Sequence, residues 1–110
     1  MDDLSQSQYL DLAERALLQV ENAADAADID SRREGSVLYL DLDNGEQVII
    51  NLQPPVQELW LASKSGAFHF RCSGGRWLDT REGRSFVGLL QQALREQGGP
   101  ELALDDDSRR

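Results

Sequence analysis

The sequence predicts a two-layer α+β sandwich, two helices packed on one face of an antiparallel β-sheet. Three observations predict it. Apolar residues recur at helical spacing only near the two ends of the chain, and between those ends they alternate with period two. The alternating runs are separated by turns of a few residues, too short for the crossovers of a parallel sheet. Each helical segment carries one apolar stripe, so both must bury it against a shared sheet face. The 110 residues suffice for one domain, placed at 1–100, with 101–110 expected as a frayed acidic tail.

The first helix is expected over 5–27. Leu10, Ala13, Leu17, Val20 and Ala24 form its stripe, and Ser5 with Gln8 fits a capping box. Along the edge of that stripe run Asp11, Glu14, Glu21, Asp25 and Asp28, continued by Asp30. Acids at a helix C-terminus oppose the macrodipole, so this row sits there at some cost.

Five strands are expected to follow. The first sets Leu38, Leu40 and Leu42 against Val37, Tyr39 and Asp41, and Asp43-Asn44-Gly45 is a hairpin turn. The second sets Val48, Ile50 and Leu52 against Gln47, Ile49 and Asn51 before Pro54-Pro55 breaks the run. Leu59 and Leu61 oppose Glu58, Trp60 and Ala62 in the third. Phe68, Phe70 and Cys72 oppose Ala67, His69 and Arg71 in the fourth, and Arg76 to Thr80 make a short fifth. The second helix, 85–97, buries Phe86, Leu89, Leu90, Ala93 and Leu94 and stops at Gly98-Gly99-Pro100. The sheet face away from the helices should carry Asn51, Glu58, Trp60, His69 and Arg71.

Charge narrows the function. The net charge is -9, and residues 1–52 carry all of it, with twelve acids against three bases. An acidic surface cannot replace the counterions of nucleic acid, nor dock on anionic lipid, so neither nucleic acid nor membrane is expected as a partner. The asymmetry points to a positive counterpart, a cation or a basic protein surface. No apolar run reaches eighteen residues and the N-terminus lacks a signal-peptide pattern, so a cytoplasmic location is expected. One Cys and one His exclude disulfide frameworks, multi-cysteine metal sites and HExxH chemistry.

Nucleophilic catalysis has no support: His69 has no partner motif, and Cys72 alternates with the core side of its strand. Trp60 stands on the open face either as a binding hot spot or as a flat cover for the sheet. The carboxylate row suits a hard cation, held weakly in a shallow, wet site.

The stretch Asn51-Leu-Gln-Pro-Pro-Val-Gln-Glu-Leu-Trp-Leu-Ala-Ser-Lys-Ser-Gly-Ala-Phe-His-Phe70 resembles the signature of the frataxin family in its bacterial branch. Asp28-Ile29-Asp30, Val48-Ile-Ile-Asn51 and Trp77-Leu-Asp-Thr-Arg-Glu-Gly83 extend the resemblance over about residues 8–97. It implies the frataxin-like fold and a role in iron–sulfur cluster assembly, as a regulator or as an iron donor, with weak binding of Fe2+ and Fe3+ and contact with the cysteine desulfurase and its scaffold protein. Because the chain offers only surface carboxylates and no preorganised inward-facing metal site, an enzyme such as a ferroxidase is not expected. The resemblance places metal at Glu21, Asp25, Asp28 and Asp30, with Asp41 and Asp43 as additions. Partner contacts are expected at Glu14, Glu21 and Asp25 of the acidic row and at Asn51, Gln53 and Trp60, which the resemblance places on the sheet surface. The chain is expected to be a monomer, with metal-dependent oligomers the alternative. Ala23, Ala24, Ala26 and Ala27 stand where the family's acids are dense, which favours a second reading: an interaction module of the same machinery with no physiological metal.

Overall fold

The computed structural model describes residues 4–104. The chain order is α1 (Gln6–Ala26), β1 (Asp30–Glu34), β2 (Val37–Asp41), β3 (Gln47–Gln53), β4 (Glu58–Ser63), β5 (Gly66–Ser73), β6 (Arg76–Asp79) and α2 (Phe86–Glu96). The strands form one antiparallel sheet in the order β1 to β6. This is the α+β sandwich expected, with one more strand than the five predicted.

The added strand is β1. Its sequence, Asp-Ser-Arg-Arg-Glu, has no apolar residue and therefore no alternation to read. It lies at the sheet edge, pairing only with β2 through Asp30↔Asp41, Arg32↔Tyr39 and Glu34↔Val37. An edge strand has one unpaired side, and charge on it opposes pairing with another chain.

α1 begins where its cap requires. The Ser5 hydroxyl accepts the Gln8 N–H at 3.1 Å, and the Gln8 side chain accepts the Ser5 N–H at 2.8 Å. Its buried stripe differs from the predicted one by a residue. Leu10 is exposed, and Tyr9 is buried in its place. The Tyr9 hydroxyl donates to the Glu58 carbonyl at 2.6 Å and accepts the Gln53 N–H at 3.1 Å. A phenol can end in backbone hydrogen bonds at the sheet's end, where a leucine has nothing to offer them. Burial pushes the Tyr9 hydroxyl pKa up, outweighing the Gln53 hydrogen bond, and the charges of Glu58 and Glu14 add to the rise.

The core forms between the layers. Leu38, Leu40, Val48, Ile50, Leu59, Leu61 and Phe70 from the sheet meet Ala13, Leu17 and Val20 of α1 and Phe86, Leu90 and Leu94 of α2. Burying each large side chain contributes roughly 1.5–3 kcal/mol. Cys72 is half-buried against the same core.

The expected frayed tail needs correction at its start. Leu102 is buried, and its N–H and carbonyl bond the Gln91 side chain at 2.8 and 2.6 Å. An apolar side chain beside α2 gains burial that a solvated tail would forgo. Asp105, Asp106 and Asp107, the acids of that tail, lie outside the described residues.

The loop from β6 to α2 is built on Asp79, whose side chain is 2% exposed. Its carboxylate accepts the N–H groups of Arg81, Glu82 and Arg84 at 2.8–2.9 Å and the Arg84 Nε at 2.9 Å. Burial by itself would raise its pKa. The three N–H donors and the guanidinium outweigh that and hold it well below the usual carboxylate range. Among the described residues, no helix is long and apolar enough to cross a membrane.

Candidate functional site

The predicted acidic row is present but falls into three groups. Glu14 and Glu21 are two turns apart on α1 and face Arg33 of β1. Arg33 Nη2 lies 2.8 Å from Glu14 Oε1, and Nη1 lies 3.8 Å from Glu21 Oε1. Asp11, at the start of the row, pairs with Arg15 at 3.1 Å.

The second group surrounds the end of α1. Asp25 is exposed on its last turn. The helix stops at Ala26, one residue short of the expected end, and Asp28 just past it has φ 60°, the left-handed region. The Ile29 N–H reaches back to the Ala24 carbonyl at 2.8 Å, and the Asp28 N–H to the Asp25 carbonyl at 3.1 Å. That is a Schellman cap, whose left-handed position favours glycine. α2 ends in the same way with Gly98 at φ 81°, its Gly99 N–H bonding the Leu94 carbonyl at 2.7 Å. The cap aims the chain so that Asp28 and Asp43 line one cleft of about 200 Å³, floored by Ile29 and Leu42 and closed by Gly98, Gly99 and Pro100.

The third group lies on the sheet. Asp30 and Asp41 are direct cross-strand neighbours. Like charges set opposite one another are destabilising, and here Asp41 is partly compensated. It accepts the Gln47 side-chain amide at 2.7 Å and lies 3.6 Å from Arg32 Nε.

All three bases of residues 1–52, Arg15, Arg32 and Arg33, are thus spent within the acidic flank. Among the described residues, Asp25, Asp28, Asp30 and Asp43 have no ion pair. Also among the described residues, no three Asp, Glu, His or Cys side chains converge as a set able to hold a metal ion. The donor set is oxygen-only and solvated, the chemistry of weak, exchangeable binding of a hard cation.

The second surface is the open sheet face. Asn51, Trp60 and His69 are consecutive cross-strand neighbours on β3, β4 and β5, and Gln53 lies opposite Glu58. Trp60 lies flat on His69, ring centroids 4.1 Å apart and planes 6° from parallel. Its indole N–H donates to Glu58 Oε1 at 2.8 Å, and Arg71 Nε donates to Glu58 Oε2 at 3.2 Å. Glu58 was expected as an ordinary open-face residue. Its side chain is only 12% exposed, enclosed by Trp60, Arg71 and His69, and it fixes the indole in place. Of the two expectations for Trp60, the flat cover describes its pose: the half-buried indole is held by His69 and Glu58.

Sequence reasoning missed the parts played by Arg33 and Glu58. The signal for Arg33 was a pair of arginines inside an otherwise acidic half. Its target on α1 is set by the register of a strand that no periodicity announces.

A family model described as a frataxin-like domain matches residues 2–100. The chain belongs to the frataxin family. Relatives of this frataxin-family chain named "Iron-sulfur cluster assembly protein CyaY" include one from Paraburkholderia phymatum, 46% identical over 98 residues, spanning 87% of this chain and 93% of the relative. One from Cupriavidus taiwanensis is 44% identical over 109 residues, spanning 94% and 98%. Among solved structures, frataxin from Psychromonas ingrahamii superimposes with TM-score 0.82 at 29% identity, covering 90% of this chain and 96% of that one. Trimeric frataxin from Saccharomyces cerevisiae, complexed with ferrous iron, gives 0.63 at 25% identity, covering 87% and 88%.

Proposed function

We propose that this chain is a non-enzymatic adaptor of iron–sulfur cluster assembly in the cytoplasm. Its acidic flank docks on a basic surface of the cysteine desulfurase, and its Trp60 face meets the scaffold protein. The observation that carries this reading is the placement of the chain's net charge: Asp25, Asp28, Asp30 and Asp43 stand without ion pairs among the described residues, on the half of the sequence that holds the whole excess of acid. Summed charge steers a basic partner without needing exact ligand geometry. The naming of relatives as cluster-assembly proteins supports the same role.

Iron, Fe2+ or Fe3+, enters as cargo or signal, bound weakly at Glu21, Asp25, Asp28, Asp30, Asp41 and Asp43. Each bound ion neutralises part of the lure and so weakens or redirects docking. The yeast frataxin complexed with ferrous iron supports this part. The chain acts as a monomer, with metal-driven oligomers as the alternative state. The partner surface comprises Glu14, Glu21 and Asp25 on the helix layer and Asn51, Gln53 and Trp60 on the open face.

The test is reconstitution of cluster synthesis with purified desulfurase and scaffold across iron concentrations, with the parent and with Glu21, Asp25 and Asp28 each changed to Lys. The triple variant is expected to lose desulfurase binding at low salt and any effect on the rate. Unchanged binding refutes the reading. The separation of the carboxylates into three groups favours a second reading, an interaction module with no physiological metal. Anaerobic calorimetric titration with Fe2+ separates the two, since the module gives no heat while still binding the desulfurase.

A further inference from the structure

We propose that Arg33 is a built-in counter-ion occupying the α1 half of the acidic flank, so that a basic protein surface engages Glu14 and Glu21 only by displacing it. The inference rests on the reading of the flank as a docking surface and adds a regulator to it.

The geometry is specific. Arg33 and Ser31 are the positions of β1 that alternate toward the helix layer, whereas Asp30, Arg32 and Glu34 take the open-face parity. The guanidinium reaches Glu14 at 2.8 Å and Glu21 at 3.8 Å, while its Nε donates to the Gly35 carbonyl at 2.7 Å. The Arg33 side chain is only 26% exposed, against 68% for Arg15 in its pair with Asp11. An anchored guanidinium spanning two carboxylates is a planar fork already filling the place that a partner's arginine would take. It shows that Glu14 holds a guanidinium at hydrogen-bond distance, with Glu21 in ion-pair range beside it.

The consequence is a divided flank. At Glu14 and Glu21 an incoming cation competes with a tethered one. At Asp25, Asp28 and Asp43 it competes only with water and salt. First contact therefore forms at the end of α1 and spreads along the helix as Arg33 is released, which also frees its hold on the edge strand. Removing one fixed charge some 5–10 Å from an approaching cationic group is worth about three- to tenfold in affinity at low ionic strength.

A hexa-arginine peptide serves as probe, titrated at roughly 20 mM salt with backbone amide spectra as readout. Arg33→Gln is expected to bind about three- to tenfold tighter than the parent and to bring amides around Glu14 and Glu21 into the perturbed set. Arg15→Gln removes the same charge from α1 itself, where it pairs with Asp11, and is expected to gain less than about twofold. In a background carrying Glu14→Gln and Glu21→Gln, the gain from Arg33→Gln is expected to vanish. Arg33→Met, which keeps an unbranched stem, replaces the glutamine variant if that one does not fold. Equal gains from Arg33→Gln and Arg15→Gln, or a gain that persists without Glu14 and Glu21, overturn the proposal and leave the docking reading intact. If neither the parent nor Arg33→Gln binds the peptide, the docking reading itself falls and takes this proposal with it.

Discussion

Replacing Asp28 by glycine should stabilise the fold while weakening the flank. Asp28 is the left-handed residue of the α1 cap, at φ 60°, where α2 uses Gly98. An L-residue in that region carries a cost of roughly 1–2 kcal/mol, with Asp near the lower end. A carboxylate at a helix C-terminus adds about 0.3–1 kcal/mol of unfavourable dipole interaction. Glycine's greater freedom in the unfolded chain gives back roughly 0.5–1 kcal/mol. The net expectation for Asp28→Gly is a gain of about 1 kcal/mol, or about 4 °C in Tm for a domain of this size. Asp28→Asn tolerates the same φ and removes only the charge, so it should gain about half as much, and in roughly 1 M salt that gain should disappear. Asp28→Ala removes the charge but keeps a Cβ in the left-handed region and gives up the local side-chain hydrogen bonding that lets Asp and Asn tolerate it, so it should be no better than the parent. Thermal and urea unfolding followed by circular dichroism measures all three. A glycine variant no more stable than the asparagine one, or an alanine variant equal to glycine, refutes the argument that backbone conformation sets the cost. A residue kept there against its own local preference is consistent with a role for its carboxylate outside folding.

Asp79→Asn should cost about 3 kcal/mol, because three N–H groups and the Arg84 guanidinium lose a buried anion. The native carboxyl pKa is depressed, so its stabilisation is fully present above the ordinary carboxylate range and is lost as pH falls through and below that range. The variant should therefore show a flatter acid limb of stability against pH. Tyr9→Phe strands the buried Gln53 N–H and the Glu58 carbonyl and should cost about 1–3 kcal/mol by urea unfolding. Leu102→Ala should cost about 2–3 kcal/mol, and no loss at all would show that the chain beyond α2 contributes nothing to the core. Glu58→Gln should loosen the indole of Trp60, read as a change in its fluorescence, and should weaken scaffold binding less than Trp60→Ala does.

The sandwich was legible from the chain's periodicities alone, because they are long and clean. Leu38, Leu40, Val48, Ile50, Leu59 and Leu61 all face the core as alternation requires, and Ser5 with Gln8 starts α1 as the capping box requires. The sequence also placed the negative charge in the first half and put Asn51 and Trp60 on the open face, since parity and charge are local properties. The rest came from contacts between distant parts of the chain. β1 is stabilised by pairing with β2 rather than by apolar residues of its own, so nothing in Asp-Ser-Arg-Arg-Glu announces it. Tyr9 displaces Leu10 because acceptor and donor groups from β3 and β4 wait at that end of the helix, and Leu102 is buried because α2 offers it a partner in Gln91. The row of acids reads as continuous along the chain. In space it divides, because the cap at Asp28 turns the backbone away from the helix axis and the register of the edge strand delivers Arg33 to Glu14 and Glu21. Charge is additive in sequence, but whether each carboxylate meets water, a neighbour of like sign or an arginine is fixed by contacts between residues far apart in the chain.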